Sequence, residues 1–198
     1  MKLYSHPASP FGRKCKIVAH ELGIKLEIIV VQARDNEELR KINPLKKIPA
    51  LVLDDGSVIF DSPVICEYLN YTGGGKFFPG TGVFSHHTQH WKALTLQALA
   101  DGLMDAAVAL RYESTDETKR NADHMARYRA TIDAGLDALE RVKFVDPPTI
   151  GEIATACALG YLDFRYADIP WRDTHPKLAE WFERFSQFPS MKATVPHT

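Results

Sequence analysis

Residues 43–63, NPLKKIPALVLDDGSVIFDSP, decide the architecture. Asp54-Asp55-Gly56 separates two short apolar runs, Ala50 to Leu53 and Ser57 to Phe60. An Asp-Gly step between such runs predicts a hairpin of two antiparallel strands. Pro49 stands just ahead of the first run, where a residue without an N–H suits the start of an edge strand or a turn. Ser62-Pro63 follows the second run as a capping residue with Pro at the first turn, and predicts a helix through Tyr71. The segment therefore reads as a ββα unit introduced by an apolar residue and a proline.

Working toward the N-terminus, Asp35-Asn36-Glu37-Glu38 has capping-box spacing and predicts a short helix ending near Asn43-Pro44. Leu26 to Val31, rich in β-branched residues, reads as a strand. Pro10 opens a helix in which Phe11, Cys15, Val18 and Leu22 recur at helical spacing, with Gly23 at the C-cap. Met1 to Ser5 reads as the first strand, and residues 1–74 follow the order βαβαββα. Toward the C-terminus, residues 73–82 carry five of the chain's 12 glycines, and 75–84 reads as a linker. Strand signals then vanish. Ser85 to about Tyr112 and Glu117 to about Val142 read as long helices, Thr149 to Glu152 repeats the capping-box pattern before an Ala-rich run, and a last helix spans Pro176 to Phe188, ending at Pro189. Residues 85–198 are expected to form an all-helical domain.

The chain has 198 residues, 45% hydrophobic and 25% charged, with a net charge of −1. That balance gives no electrostatic reason to expect nucleic acid or an anionic membrane as a partner. No signal-peptide core and no uninterrupted run of the roughly 18 apolar residues a span needs are read, so a cytoplasmic location is expected. Cys15, Cys66 and Cys157 are odd in number and scattered over helical segments, which predicts reduced, buried thiols. His86, His87 and His90 lack Cys or acidic residues at metal-ligand spacing, so no metal is expected.

The βαβ unit followed by ββα, with its apolar-Pro step, resembles the thioredoxin fold, and with the helical tail the whole chain resembles the soluble (cytosolic) glutathione S-transferases of bacterial serine type. Four matches carry the likeness: Ser9-Pro10-Phe11-x-Arg13-Lys14, Asn43 to Leu51, Phe60-Asp61-Ser62, and Thr149 to Glu152 with His175 to Trp181 beyond. Lys46 stands where relatives commonly carry glycine, and Glu152 where they carry Asp. The resemblance implies a glutathione-binding domain over residues 1–74 and a homodimer. It also implies a reaction in which the glutathione thiolate is conjugated to small electrophilic, mostly apolar substrates, with glutathione as co-substrate and no cofactor.

The residues named by the resemblance have physical reasons of their own. Glutathione's thiol ionises near the free-cysteine value of about 8.5, so a catalyst must favour the anion. Ser9, just before a helix, can donate to sulfur while the helix N-terminus adds partial positive charge; as a plain N-cap it would explain itself equally well. Phe11 belongs to the same turn. Ile48-Pro49, if cis, turns the Ile48 backbone outward to pair with an extended tripeptide; a trans proline opening an edge strand is the alternative. Asp61 and Ser62 suit an ammonium and a carboxylate, hence the α-amino acid head group, while Lys47, and after it Lys46, would meet the opposite carboxylate. Trp91, Met104, Val108 and Tyr112 are candidates for a hydrophobic substrate pocket, with Arg111 as a candidate electrophile or anion contact in it, although such a stripe more often forms a core. Tyr4 is read as a core ring. Because Ser9 replaces the cysteine of thiol–disulfide relatives, and the Ser-x-Cys pair of isomerases is missing, those activities are the weaker alternatives, alongside a non-enzymatic glutathione-binding module.

Overall fold

The computed structural model describes residues 1–34, 36–80, 87–115, 118 and 120–198, and of His87 the backbone alone. They form two compact units: Met1–His90 together with Pro189–Thr198, and Trp91–Phe188.

The first unit runs β1 (Lys2–Ser5), α1 (Pro10–Glu21), β2 (Glu27–Val30), α2 (Leu39–Ile42), β3 (Ala50–Val52), β4 (Val58–Ile59) and α3 (Ser62–Thr72), the expected βαβαββα order. The strands form one sheet in the order β2-β1-β3-β4. β1 is parallel to β2, and both the β1–β3 and β3–β4 pairs are antiparallel. Leu3 and Leu51 face one another in register. They are fully buried together with Cys15 and Val18 of α1 and Ile65 and Leu69 of α3, which pack as neighbouring helices. The Asp54-Asp55-Gly56 turn closes the hairpin as read: Gly56 takes φ 85, a conformation that L side chains rarely adopt.

Two local readings need correction. In the box read over Asp35 to Glu38, Asp35 lies outside the described residues, and Glu38, the residue before α2, makes no capping hydrogen bond. Glu38 instead pairs with Lys41, and Glu37 with Arg40 and Lys46, because long acidic side chains beside bases reach those charges more readily than the helix end. Ser62 is the first helical residue of α3 rather than its cap; Asp61 holds the cap position, without a side-chain capping bond.

The second unit is helical: most of α4 (His87–Thr115), then α5 (Ala122–Glu140), α6 (Ile150–Arg165), α7 (Trp171–Thr174) and α8 (Pro176–Phe185). α6 is its core, with every residue from Ile150 to Leu162 buried. The Thr149–Glu152 capping box is present: Glu152 accepts from Thr149 N at 2.9 Å and from the Thr149 hydroxyl at 2.5 Å, and Thr149 Oγ1 accepts from Gly151 N. α5 starts later than read, where Asn121 Oδ1 accepts from Asp123 N and His124 N; Glu117 lies outside the described residues. α7 escaped the sequence reading because four residues show no period. α8 stops at Phe185, and Pro189, read as a stop, opens α9 (Pro189–Ala193), since proline's fixed φ also suits a first helical turn. The stretch Thr88–Thr115 of α4 is long and apolar enough by composition to cross a membrane, with mean hydropathy 1.4. Of that window 44% is buried in the fold, and core helices pass the same test.

Candidate functional site

Strand register gathers the first unit's candidate residues. Tyr4 pairs with Ala50 and Leu51 with Ile59. The end of β1, the entry to β3 and the exit from β4 therefore share one edge of the sheet. α1 and α3 begin from that edge side by side, and Cys15 Sγ of α1 lies 3.9 Å from Ser62 O at the start of α3. Two helix N-termini, with their partial positive charge, thus flank the lead-in to β3.

At the start of α1, Ser9 Oγ accepts from Gly12 N at 3.1 Å, so Ser9 is the N-cap. Its hydroxyl proton has no acceptor among the described residues and is available to a ligand. Capping and donation thus coexist in one side chain, because the cap uses a lone pair and leaves the O–H free. Phe11, half-buried, lies in the same turn.

The β3 lead-in is held by Asn43, which is 1% exposed. Its Oδ1 accepts from Leu45 N at 3.0 Å and its Nδ2 donates to Lys47 O at 2.9 Å, closing the loop on both sides. Lys46 takes φ 53, the left-handed conformation that suits glycine, and its ammonium is held by Glu37. Lys46, then Arg40, holds the Glu37 carboxyl below its ordinary range. Lys47 is exposed. The Ile48–Pro49 peptide is cis, with Ile48 half-buried and Pro49 buried.

At the start of α3, Asp61 is exposed and its carboxylate makes no capping bond, while Ser62 is 2% exposed. An acceptor and a helix N-terminus lie next to each other there.

The remaining candidates lie elsewhere. Met104 is fully buried in the second unit, Val108 and Arg111 are half-buried, and Tyr112 is exposed, all on α4. Tyr4 is half-buried and lines a cavity of about 240 Å³ with Asn36, Glu38, Leu39, Lys41 and Ile42. His90 Nδ1 lies 2.9 Å from Pro79 O; His86 and the side chain of His87 are outside the described residues. All three cysteines are free thiols and buried.

Residues 8–72 match the family of glutathione S-transferase N-terminal domains, and residues 122–184 that of the C-terminal domains. The chain is 33% identical to the uncharacterized GST-like protein YibF of Escherichia coli (strain K12), over 99% of this chain and 98% of that one. The chain belongs to the glutathione S-transferase family. Among solved structures, a glutathione transferase family member from Pseudomonas fluorescens Pf-5 with bound glutathione is 39% identical, with TM-score 0.90 over 100% of this chain and 99% of that one. A family member from the same source with bound S-(propanoic acid)-glutathione aligns at TM-score 0.84, again 39% identical, over 100% of both chains.

Three residues that support this glutathione S-transferase fold around the site were given no role of their own from sequence, although Arg13 and Asn43 lie in the motifs quoted above. Gly12 allows the closest approach to β1, since a Cβ there would lie 1.9 Å from the buried Ser5 Oγ. Asn43 anchors the β3 lead-in. Arg13, 4% exposed, donates to Met191 O at 3.1 Å and to Thr194 Oγ1 at 3.3 Å, tying α1 to the chain's last segment. An Asn followed by Pro at the end of a helix was a usable signal for the second; the other two depend on contacts with distant chain.

Proposed function

We propose that the protein is a glutathione transferase in which Ser9 donates a hydrogen bond to the glutathione sulfur and holds it as a thiolate for attack on an electrophilic carbon. The observation that carries this reading is the Ser9 hydroxyl: its lone pair caps α1 through Gly12 N while its proton is uncommitted at a helix N-terminus. Lowering a thiol pKa by about two units requires only about 2.7 kcal/mol of differential stabilisation, within reach of one O–H and a helix terminus. In this reading the backbone of Ile48, ahead of Pro49, pairs with the cysteinyl unit, Asp61 accepts from the glutamyl ammonium, Ser62 and the first N–H groups of α3 receive its carboxylate, Lys47 faces the glycyl carboxylate, and Phe11 lines the same turn. The family structures with glutathione and S-(propanoic acid)-glutathione bound support both ligand and reaction, and the second is a conjugate whose added chain ends in a carboxyl group. Buried cysteines and a serine at position 9 favour conjugation over thiol–disulfide exchange. A cytosolic homodimer belongs to the same proposal and is checked by light scattering.

The test is a calorimetric titration with glutathione paired with the ultraviolet thiolate signal of the complex across pH. A thiol pKa clearly below about 8.5 in the complex is expected. Ser9→Ala should keep glutathione affinity within a few-fold, return that pKa toward its free value and cut turnover; unchanged turnover in Ser9→Ala removes the assignment.

A further inference from the structure

α4 and α6 pack side by side in the second unit. A Cβ on Gly151 would come within 2.8 Å of Leu96 Cβ, and further along both helices Tyr166 donates to Ala107 O at 2.5 Å. Arg111 lies one turn beyond Ala107 on α4, and Tyr161 and Arg165 lie one turn apart on α6. Helical side chains tilt toward the N-terminus, so the Arg111 side chain reaches back toward the level of Tyr161.

Among the described residues neither Arg111 nor Arg165 forms an ion pair. The acids near the end of α6 are committed elsewhere: Asp163 to Arg172 and the Trp171 indole, and Asp168 to Arg129. Arg165 lies with its Cζ 4.0 Å from the centre of the Phe164 ring, and its Nε is buried without a hydrogen-bond partner. A buried N–H donor left unpaired costs about 1–3 kcal/mol, so such a group in a folded protein calls for a ligand or another compensation. Tyr161 is 5% exposed. Burial pushes its hydroxyl pKa up, while Arg165 and Arg111 are near enough to pull the other way.

We propose that Arg111, Arg165 and the Tyr161 hydroxyl form a binding site for the carboxylate of a small organic acid, with Phe164 and Tyr112 as its aromatic surroundings. Two guanidinium groups can neutralise one carboxylate, the Arg165 Nε gains the acceptor it lacks, and a planar fork beside a phenol suits the two oxygens. Assigning that acid as the electrophilic acceptor rests on the transferase reading. The subsite makes the acceptor preference anionic where sequence alone pointed to mostly apolar substrates.

The whole chain is titrated by calorimetry with 3-phenylpropionate and with its neutral amide, 3-phenylpropionamide. The acid should bind about ten-fold or more tightly than the amide. Arg165→Met, Arg111→Met and Tyr161→Phe should each remove most of that preference while glutathione affinity stays unchanged. Equal binding of acid and amide, no binding of the acid at millimolar concentration, or a preference that survives in the two arginine variants overturns the site. Should Arg165→Met lose its folded circular dichroism signal, the half-exposed Arg111 and the Tyr161→Phe variant decide. If the acid preference holds but glutathione is conjugated to no unsaturated carboxylic acid, the subsite stands and the transferase reading falls.

Discussion

Gly12 shows how one position serves both packing and chemistry. Its amide caps into Ser9 Oγ, and the space where its Cβ would stand is occupied by Ser5, which is fully buried and unable to withdraw into solvent. Gly12→Ala is expected to destabilise by about 1–3 kcal/mol, as overpacking does, and to shift the Ser9 hydroxyl. Urea denaturation reads the loss, and Ser5→Ala in the same chain should recover part of it because the nearest clash is with the hydroxyl. Lys46 makes a related point. A lysine, not a glycine, holds the left-handed backbone of φ 53 there, with its ammonium anchored on Glu37. Arg111 was legible as a pocket candidate and Arg165 only as a residue type; what sets them apart, the lack of an acidic partner among the described residues, belongs to the folded chain.

At the scale of elements, α6 was readable in advance because its signals are local: a Thr-x-x-Glu box followed by an apolar run. Glu152 is 3% exposed and accepts from Thr149 N, the Thr149 hydroxyl and Val145 N. Thr149→Ala should therefore cost about 1–2 kcal/mol and Glu152→Ala about 2–3, since the latter strands two backbone donors; chemical denaturation of the two variants ranks them. The bond from Tyr166, the residue just past α6, to Ala107 O of α4 has a pH signature. Burial pushes the Tyr166 hydroxyl far above its ordinary value of about 10. Its contribution is complete below pH about 10, where the phenol is neutral in folded and unfolded chains alike. It is lost as pH rises beyond that, because the unfolded chain ionises first. Tyr166→Phe should lose about 1 kcal/mol near pH 8 yet show a shallower fall between pH about 10 and 11.5, read as unfolding midpoints against pH. At the start of α2 the converse holds: Glu38, read as the end of a capping box, makes no capping bond, because the nearby bases of Arg40, Lys41 and Lys46 claim the acidic cluster.

For the whole molecule, the decisive feature is the return of Pro189–Thr198 to the first unit, fastened by Arg13 across 181 residues of sequence. Arg13→Met should destabilise by about 2–4 kcal/mol, and limited proteolysis should then cut first within residues 189–198; thermal unfolding combined with peptide mapping checks both. By itself the sequence determined the order βαβαββα, the change to helices after the glycine-rich stretch, the capping box and the candidates Ser9, Ile48-Pro49 and Asp61-Ser62. The order, the change to helices and the capping box depend on neighbouring sterics, periodicity and end effects acting within one or two turns, whereas the three candidates were named by the resemblance to glutathione S-transferases. Only the tertiary structure decided that strand register brings the β3 lead-in and two helix N-termini to one edge, that Asn43 pins that lead-in, that Arg13 holds the returning segment, and that two arginines of α4 and α6 have no ion-pair partner among the described residues. Those outcomes depend on which distant groups meet when the chain closes on itself, and no local preference encodes that.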